Sequence, residues 1–324
     1  MTHTHRVVIA TLALLGCGKA APPGSGSATG SAVGAGSAAA ARPAGFPLVA
    51  ARAAVKTTIF GKADATPPDP PPAALFTLTH YTSASGELAA YETPVATGAR
   101  RPAIIWIAGG FDWGIGAGSW EPAERSNDQS AAALRPPGLV LMVPALRGAS
   151  GNPGKPECFL GEVDDILAAR AHLAQRADVD PARIYLGGHS TGGTLALLAA
   201  ASTDKFRAVF ALGPVADPRQ YGNSGCLPEG KPEPEYVARA PVEWISSIVT
   251  PTFVIEGEHG NAAVLPILKE RASPAVTLLT IAGASHFSAI RAVSEAIARA
   301  ILADTGPRPA IALDATAIAA AVGK

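Results

Sequence analysis

An α/β fold with a mostly parallel central sheet and helices on both faces is predicted by three features of this 324-residue sequence. Short apolar runs alternate with helical patterns from about residue 75 to 303. Several of those runs are continuously apolar, as expected of strands covered on both faces, where a half-exposed strand would alternate. A glycine-flanked serine also stands at one predicted strand-to-helix turn.

The elements follow in order. Phe76–Tyr81 and Glu87–Glu92 alternate around Ser85-Gly86 and predict an antiparallel pair. Ile104–Ile107 and Leu139–Val143 are unbroken apolar runs and predict buried strands. From Gly161 to Ala174, Val163, Ile166, Leu167 and Leu173 share one helical face. Glu162, Asp164 and Asp165 occupy the first turn, where the helix dipole favours negative charge. Arg183–Leu186 predicts a strand, Thr194–Ala201 a small-residue helix, and Ala208–Leu212, Thr252–Ile255 and Val276–Ile281 further strands. Ser288–Leu302 predicts the last helix of the alternation, and the Ala-rich tail after Pro309 is either a docked helix or frayed.

Length fits a single large domain. Lys plus Arg and Asp plus Glu both total 26, so no net field attracts nucleic acid, and none is expected as a partner. Residues 1–16 have the layout of a signal peptide, with Arg6 before the apolar stretch Val7–Leu15. Leu14-Leu15-Gly16-Cys17 resembles the bacterial lipobox, which implies lipidation at Cys17 and attachment to a membrane through that lipid, in the periplasm or at the cell surface. Residues 17–45, nearly devoid of large side chains, read as a flexible tether. The main domain is expected over 46–304 and a C-terminal tail over 305–324. With Cys17 used for the anchor, Cys158 and Cys226 remain, and spacing leaves open whether they pair or stay as two thiols. The histidines and cysteines show no metal-ligand spacing, and no cofactor is expected.

The chemistry centres on Gly188-His189-Ser190-Thr191-Gly192-Gly193, placed between the predicted strand 183–186 and the helix beginning near Thr194. A serine at the apex of such a turn adopts a strained backbone, and flanking glycines remove Cβ atoms that would collide where strand and helix approach. Ser190 is therefore the candidate nucleophile. A serine hydroxyl needs a neighbouring base.

With Val179-Asp180-Pro181-Ala182-Arg183-Ile184-Tyr185-Leu186 leading into that motif, with Arg147-Gly148, and with Gly213-Pro214-Val215-Ala216-Asp217, residues 75–303 resemble the α/β-hydrolase superfamily and, within it, prolyl-oligopeptidase-related serine hydrolases. The resemblance implies cleavage of an ester or peptide bond through an acyl-serine intermediate. It also implies the chain order nucleophile, acid, histidine. His286, after the last predicted strand, is the one histidine of seven that fits.

Oxyanion donors are expected from the backbone N–H of Thr191 and from that of Gly110 or Phe111, in the Ile107-Ala108-Gly109-Gly110-Phe111 segment. Phe111, Trp113 and Trp120 are expected to line the pocket. The family pattern Gly-x-x-Asp is absent, because Gly260 stands at the carboxylate position. Glu258 is the first candidate for the acid, with Asp217 and Glu256 as alternatives. Were no acid competent, the chain would be a hydrolase-like binding lipoprotein. The stretch 222–247, with Tyr236 and Trp244, is the expected lid. The chain is too short for the propeller domain of prolyl oligopeptidases, so an esterase stands beside a peptidase.

Overall fold

The computed structural model describes residues 45–323. The expected signal peptide, Cys17 and nearly all of the expected tether lie outside the described residues. Among those described, no helix is long and apolar enough to cross a membrane.

Eight strands make one sheet: β1 (Thr77–Ser83), β2 (Gly86–Glu92), β3 (Arg101–Ile107), β4 (Val140–Pro144), β5 (Val179–His189), β6 (Val209–Leu212), β7 (Thr252–Gly257) and β8 (Val276–Ile281). Their spatial order is β1-β2-β4-β3-β5-β6-β7-β8. β2 runs antiparallel to both β1 and β4, and every pairing beyond that is parallel. This is the α/β-hydrolase fold, as the alternation of elements predicts.

The apolar runs are continuous because successive side chains enter two separate cores. Ile105, Ile107, Met142, Leu186, Ala211 and Val254 face one side, with α2 (Glu162–Leu173) and α3 (Thr191–Ala200). Ile104, Trp106, Leu141, Tyr185, Phe210 and Ile255 face the other, with α7 (Ala289–Ala303). β5 begins at Val179, earlier than the apolar pattern suggests, because Val179 pairs with Arg101 across an irregularity in the β3 register.

The segment before β1, which sequence leaves undefined, opens with α1 (Pro47–Ala54) and continues as an extended strap. Arg52 of α1 donates to the Leu160 carbonyl at 2.8 Å and pairs with Asp164. Farther along, Thr58 N–H donates to Glu235 and Gly61 N–H to the Pro156 carbonyl. The stretch expected to be a lid carries α4 (Glu233–Val237) and α5 (Pro241–Trp244). Cys158 and Cys226 form a disulfide across a sequence separation of 68, joining that stretch to the loop before α2.

The C-terminal residues form α8 (Ala315–Ala321), docked against α7 and β8 with Ile318 buried. Within the expected tail, residues 315–321 are thus docked on the body. Asp304, at the end of α7, anchors the turn. Its carboxylate accepts from Arg207 at 2.7 and 2.8 Å, from the Tyr185 hydroxyl at 2.7 Å and from Ala310 N–H at 3.1 Å.

Two measurements check this architecture. Closing a loop of this length constrains the unfolded chain, so Cys226→Ser, or reduction of the wild type, is expected to lower stability by about 2–4 kcal/mol in urea unfolding. Equal midpoints with and without reductant would contradict it. The Arg207 bonds hold the Asp304 carboxyl down at about 2, against an ordinary 3.8. A depressed carboxyl stabilises the fold above its unfolded value and loses that contribution as pH falls through the folded one. About 2 kcal/mol should therefore disappear between pH 4 and 2. Asp304→Asn should flatten that part of the stability profile.

Candidate active site

β5 delivers Ser190 to the carboxyl end of the sheet, and α3 starts one residue later. Ser190 has φ 56° and ψ −116°, a left-handed conformation that costs a non-glycine residue on the order of 1–3 kcal/mol. It is held from both sides: its N–H donates to the Leu212 carbonyl at 2.7 Å, and its own carbonyl accepts from Thr194 N–H at 3.0 Å. Gly192 shows why the turn needs glycine. A Cβ there would strike the carbonyl oxygen of Ile107 and lie 2.8 Å from that of Ala108. α3 can approach the end of β3 only without one.

His286 sits in the loop between β8 and α7, and its Nδ1 lies 3.0 Å from Oε2 of Glu256. Glu256 is on β7 and buried. Its other oxygen accepts from Gly257 N–H at 2.6 Å, so the carboxylate is fixed at both ends. With the Nδ1 hydrogen on the carboxylate, Nε2 carries the lone pair and is suited to accept a proton.

The expectation that Glu258 makes this contact is corrected here. Glu258 lies just beyond the end of β7, where side chains no longer alternate across the sheet, and its exposed carboxylate accepts from Gly283 N–H at 2.9 Å. Asp217 is engaged elsewhere, capping the 218–224 turn and pairing with Arg219. Gly260, where the family pattern would have its Asp, is the reason Glu256 fits. A Cβ on Gly260 would strike Oε1 of Glu256 and lie 2.9 Å from the backbone nitrogen of His286. Glu256 occupies the volume that a loop aspartate would fill.

Gly213 joins the two halves of the site. It follows Leu212, the acceptor for Ser190 N–H, and its own N–H donates to the Ile255 carbonyl at 2.8 Å. Its φ is +58°, and a Cβ would strike Cε1 of His286 and lie 3.1 Å from the Glu256 carboxylate. The imidazole therefore rests on bare backbone. The His286 ring also packs 4.5 Å, centroid to centroid, from that of His189, the neighbour of Ser190.

On the opposite side the Thr191 hydroxyl donates to the Gly110 carbonyl, and Trp113 Nε1 donates to the Thr191 hydroxyl at 3.2 Å. Gly110 has φ +100°. Among the described residues, the N–H groups of Thr191, Gly110 and Phe111 have no acceptor within the protein.

Phe111 and Trp113 belong to an aromatic group with Phe159 and Tyr221, each ring 5.1–6.3 Å from its neighbour. Trp120, expected beside them, instead packs edge-on against Tyr91 at 5.1 Å on the other side of the sheet, because the short turn at 117–119 carries it away.

Phe159 and Tyr221 were not singled out by sequence. Cys158 and Phe159 both have positive φ, and the wholly buried Arg239 guanidinium donates to the Glu157 and Cys158 carbonyls, holding the loop in that shape. The Tyr221 hydroxyl bonds Thr194 Oγ1 at 3.0 Å, in the first turn of α3 after Ser190. Burial pushes its ionisation up, so it stays a neutral phenol. An open groove of about 730 Å³ lies between Thr58–Phe60 and the 222–230 stretch, lined also by Arg219 and Tyr236, and Ser190 and His286 are not part of its lining.

Residues 154–298 match the prolyl oligopeptidase family. An uncharacterized protein of Mycobacterium tuberculosis is 42% identical over 67 residues, which are 21% of this chain and 24% of that protein. Acylaminoacyl peptidase of Pyrococcus horikoshii is similar in structure at 16% identity and a TM-score of 0.55, over 75% of this chain and 44% of that one. A 2,6-dihydroxy-pseudo-oxynicotine hydrolase is similar at 14% identity and a TM-score of 0.53, over 73% and 71%. The chain thus spans less than half of the acylaminoacyl peptidase and about a quarter of the mycobacterial protein. It is an α/β-hydrolase-fold protein, and its likeness to the prolyl oligopeptidase family lies in the residues that hold Ser190, Glu256 and His286.

Proposed function

We propose that the protein is a serine hydrolase that cleaves an ester or peptide bond through an acyl-enzyme. The observation that carries this reading is the buried Glu256 carboxylate 3.0 Å from His286 Nδ1, with that imidazole packed against the turn bearing Ser190. Ser190 Oγ attacks the carbonyl carbon of the substrate while His286 Nε2 takes its proton. Glu256 stabilises the resulting imidazolium. The oxyanion is met by the Thr191 N–H and by that of Gly110 or Phe111, all lacking an internal acceptor. His286 then gives its proton to the departing alcohol or amine, and a water activated by the same nitrogen releases the acid.

The name of the Pyrococcus neighbour favours a peptide or acylamino substrate, and that of the second structural neighbour a small-molecule one. Phe111 and Tyr221, whose rings pack 5.1 Å apart beside the Thr191 turn, are placed to contact the group next to the scissile bond. The alternative, a non-catalytic binding lipoprotein, rests on the missing loop carboxylate, and the Glu256 carboxylate beside His286 favours the hydrolase over it.

A fluorophosphonate is expected to label wild type but not Ser190→Ala, whose turnover of nitrophenyl esters or peptide amides should fall by about 10⁴ or more. Glu256→Gln should lose roughly 10²–10⁴ in kcat, and Glu258→Gln less than about threefold. Equal losses at 256 and 258, or labelling that persists in Ser190→Ala, would overturn the assignment.

Export with lipid attachment at Cys17 completes the proposal. The Cys158–Cys226 disulfide supports it, since such bonds persist in oxidising compartments. Cells fed a fatty-acid label should incorporate it into the wild-type chain and not into Cys17→Ala. Incorporation into neither would remove the anchor.

A further inference from the structure

We propose that His189 is a positioning residue whose ring N–H ties the His286 backbone to the nucleophile turn. The proposal rests on the hydrolase reading above. His189 is the last residue of β5 and is 3% exposed. Its Nε2 lies 3.1 Å from the carbonyl oxygen of His286. A carbonyl only accepts, so Nε2 carries the hydrogen and Nδ1 the lone pair. Nδ1 has no partner among the described residues and faces Gly109, where a Cβ would lie 3.1 Å from it. The ring also packs 5.7 Å from Phe287, which stands edge-on to His286 at 5.0 Å.

One side chain therefore touches three segments that are distant in sequence: the serine turn that it belongs to, the glycine loop after β3, and the histidine loop after β8. The last of these lies beyond the end of β8. Its bond to His189 fixes the backbone from which the His286 ring extends, and so fixes where Nε2 sits relative to Ser190. A 1 Å displacement of a reacting group can cost on the order of 100-fold in rate.

Burial, and then the neighbouring His286, pushes the ionisation of His189 down to about 3. It stays neutral while His286 gains and loses its proton, so the support neither competes for that proton nor repels the imidazolium. The groups around His286 are then Glu256 from β7, neutral His189 from β5, and the uncharged Ser285, Phe287 and Ser288 of its own loop.

His189→Gln and His189→Phe separate the bond from the packing. Gln keeps an N–H donor at a similar reach; Phe keeps the ring and loses the donor. Relative to wild type, His189→Phe is expected to lower kcat by about 10- to 100-fold, with KM changed less than about threefold. Its downfield His286 Nδ1 proton resonance, which reports the Glu256 bond, should broaden or move. His189→Gln should restore kcat to within about fivefold of wild type and recover that resonance. His189→Leu provides the same donor-free comparison should the Phe variant not fold.

Wild-type kcat and an unshifted resonance in the donor-free variant would overturn the proposal. So would equal losses in Gln and the donor-free variant, since a retained N–H donor would then restore nothing. If the wild type itself shows no turnover and no labelling at Ser190, the hydrolase reading fails. The His286 resonance across the same variants still decides whether His189 positions that residue.

Discussion

The carboxylate of Glu256 and the imidazole of His286 meet 3.0 Å apart in a space that exists because two neighbouring residues have no side chain. A Cβ on Gly213 would enter the ring, and one on Gly260 would enter the carboxylate. The carboxylate itself comes from β7, which is paired on both edges, by β6 and β8. Its backbone is therefore held more firmly than that of a loop residue. A buried carboxylate left without a partner would be costly, and Gly257 N–H and His286 together satisfy it.

Around this pair the sheet acts as a frame from which loops are hung at its carboxyl end, the usual arrangement in open α/β sheets. β5 leads into the serine turn, β6 into Gly213, β7 carries Glu256 one residue before its end, and β8 leads into the His286 loop. The opposite wall depends on restraints of another kind. Cys158 and Phe159 hold left-handed backbone conformations, and the Arg239 guanidinium and the Cys158–Cys226 disulfide bracket them. The strap from α1 to residue 64 crosses the same region through Arg52, Thr58 and Gly61. Phe159 is thereby pressed against Trp113 and Tyr221, which shapes the space in front of Ser190.

Much of this was legible in sequence because it is local. The apolar runs at 104–107 and 139–143, the helical face of Val163, Ile166 and Leu173, and the strand, glycine-serine-glycine and helix succession at 183–201 all depend on neighbours a few residues apart. The position of His286 after the last strand followed from chain order. The strap before β1 was not legible, since its bonds run to Leu160, Glu235 and Pro156, far away in sequence. The place of Trp120 is hidden for a similar reason: nothing in its own segment announces Tyr91 as its partner. A signal for Glu256 is present in its place directly after the apolar run Phe253-Val254-Ile255, where strand burial demands a partner for a carboxylate.

The sequence by itself determined the layered α/β architecture and the serine at the apex of its turn, because period, glycine placement and strand-to-helix succession act over a few residues. Only the tertiary structure decided which carboxylate faces His286 and whether the two cysteines join. Glu256 and Glu258 differ by two positions at the end of one strand, and what separates them is the room left by Gly213 and Gly260 and the line to an imidazole on another loop. Such distances arise from packing between remote segments, and no local pattern encodes them.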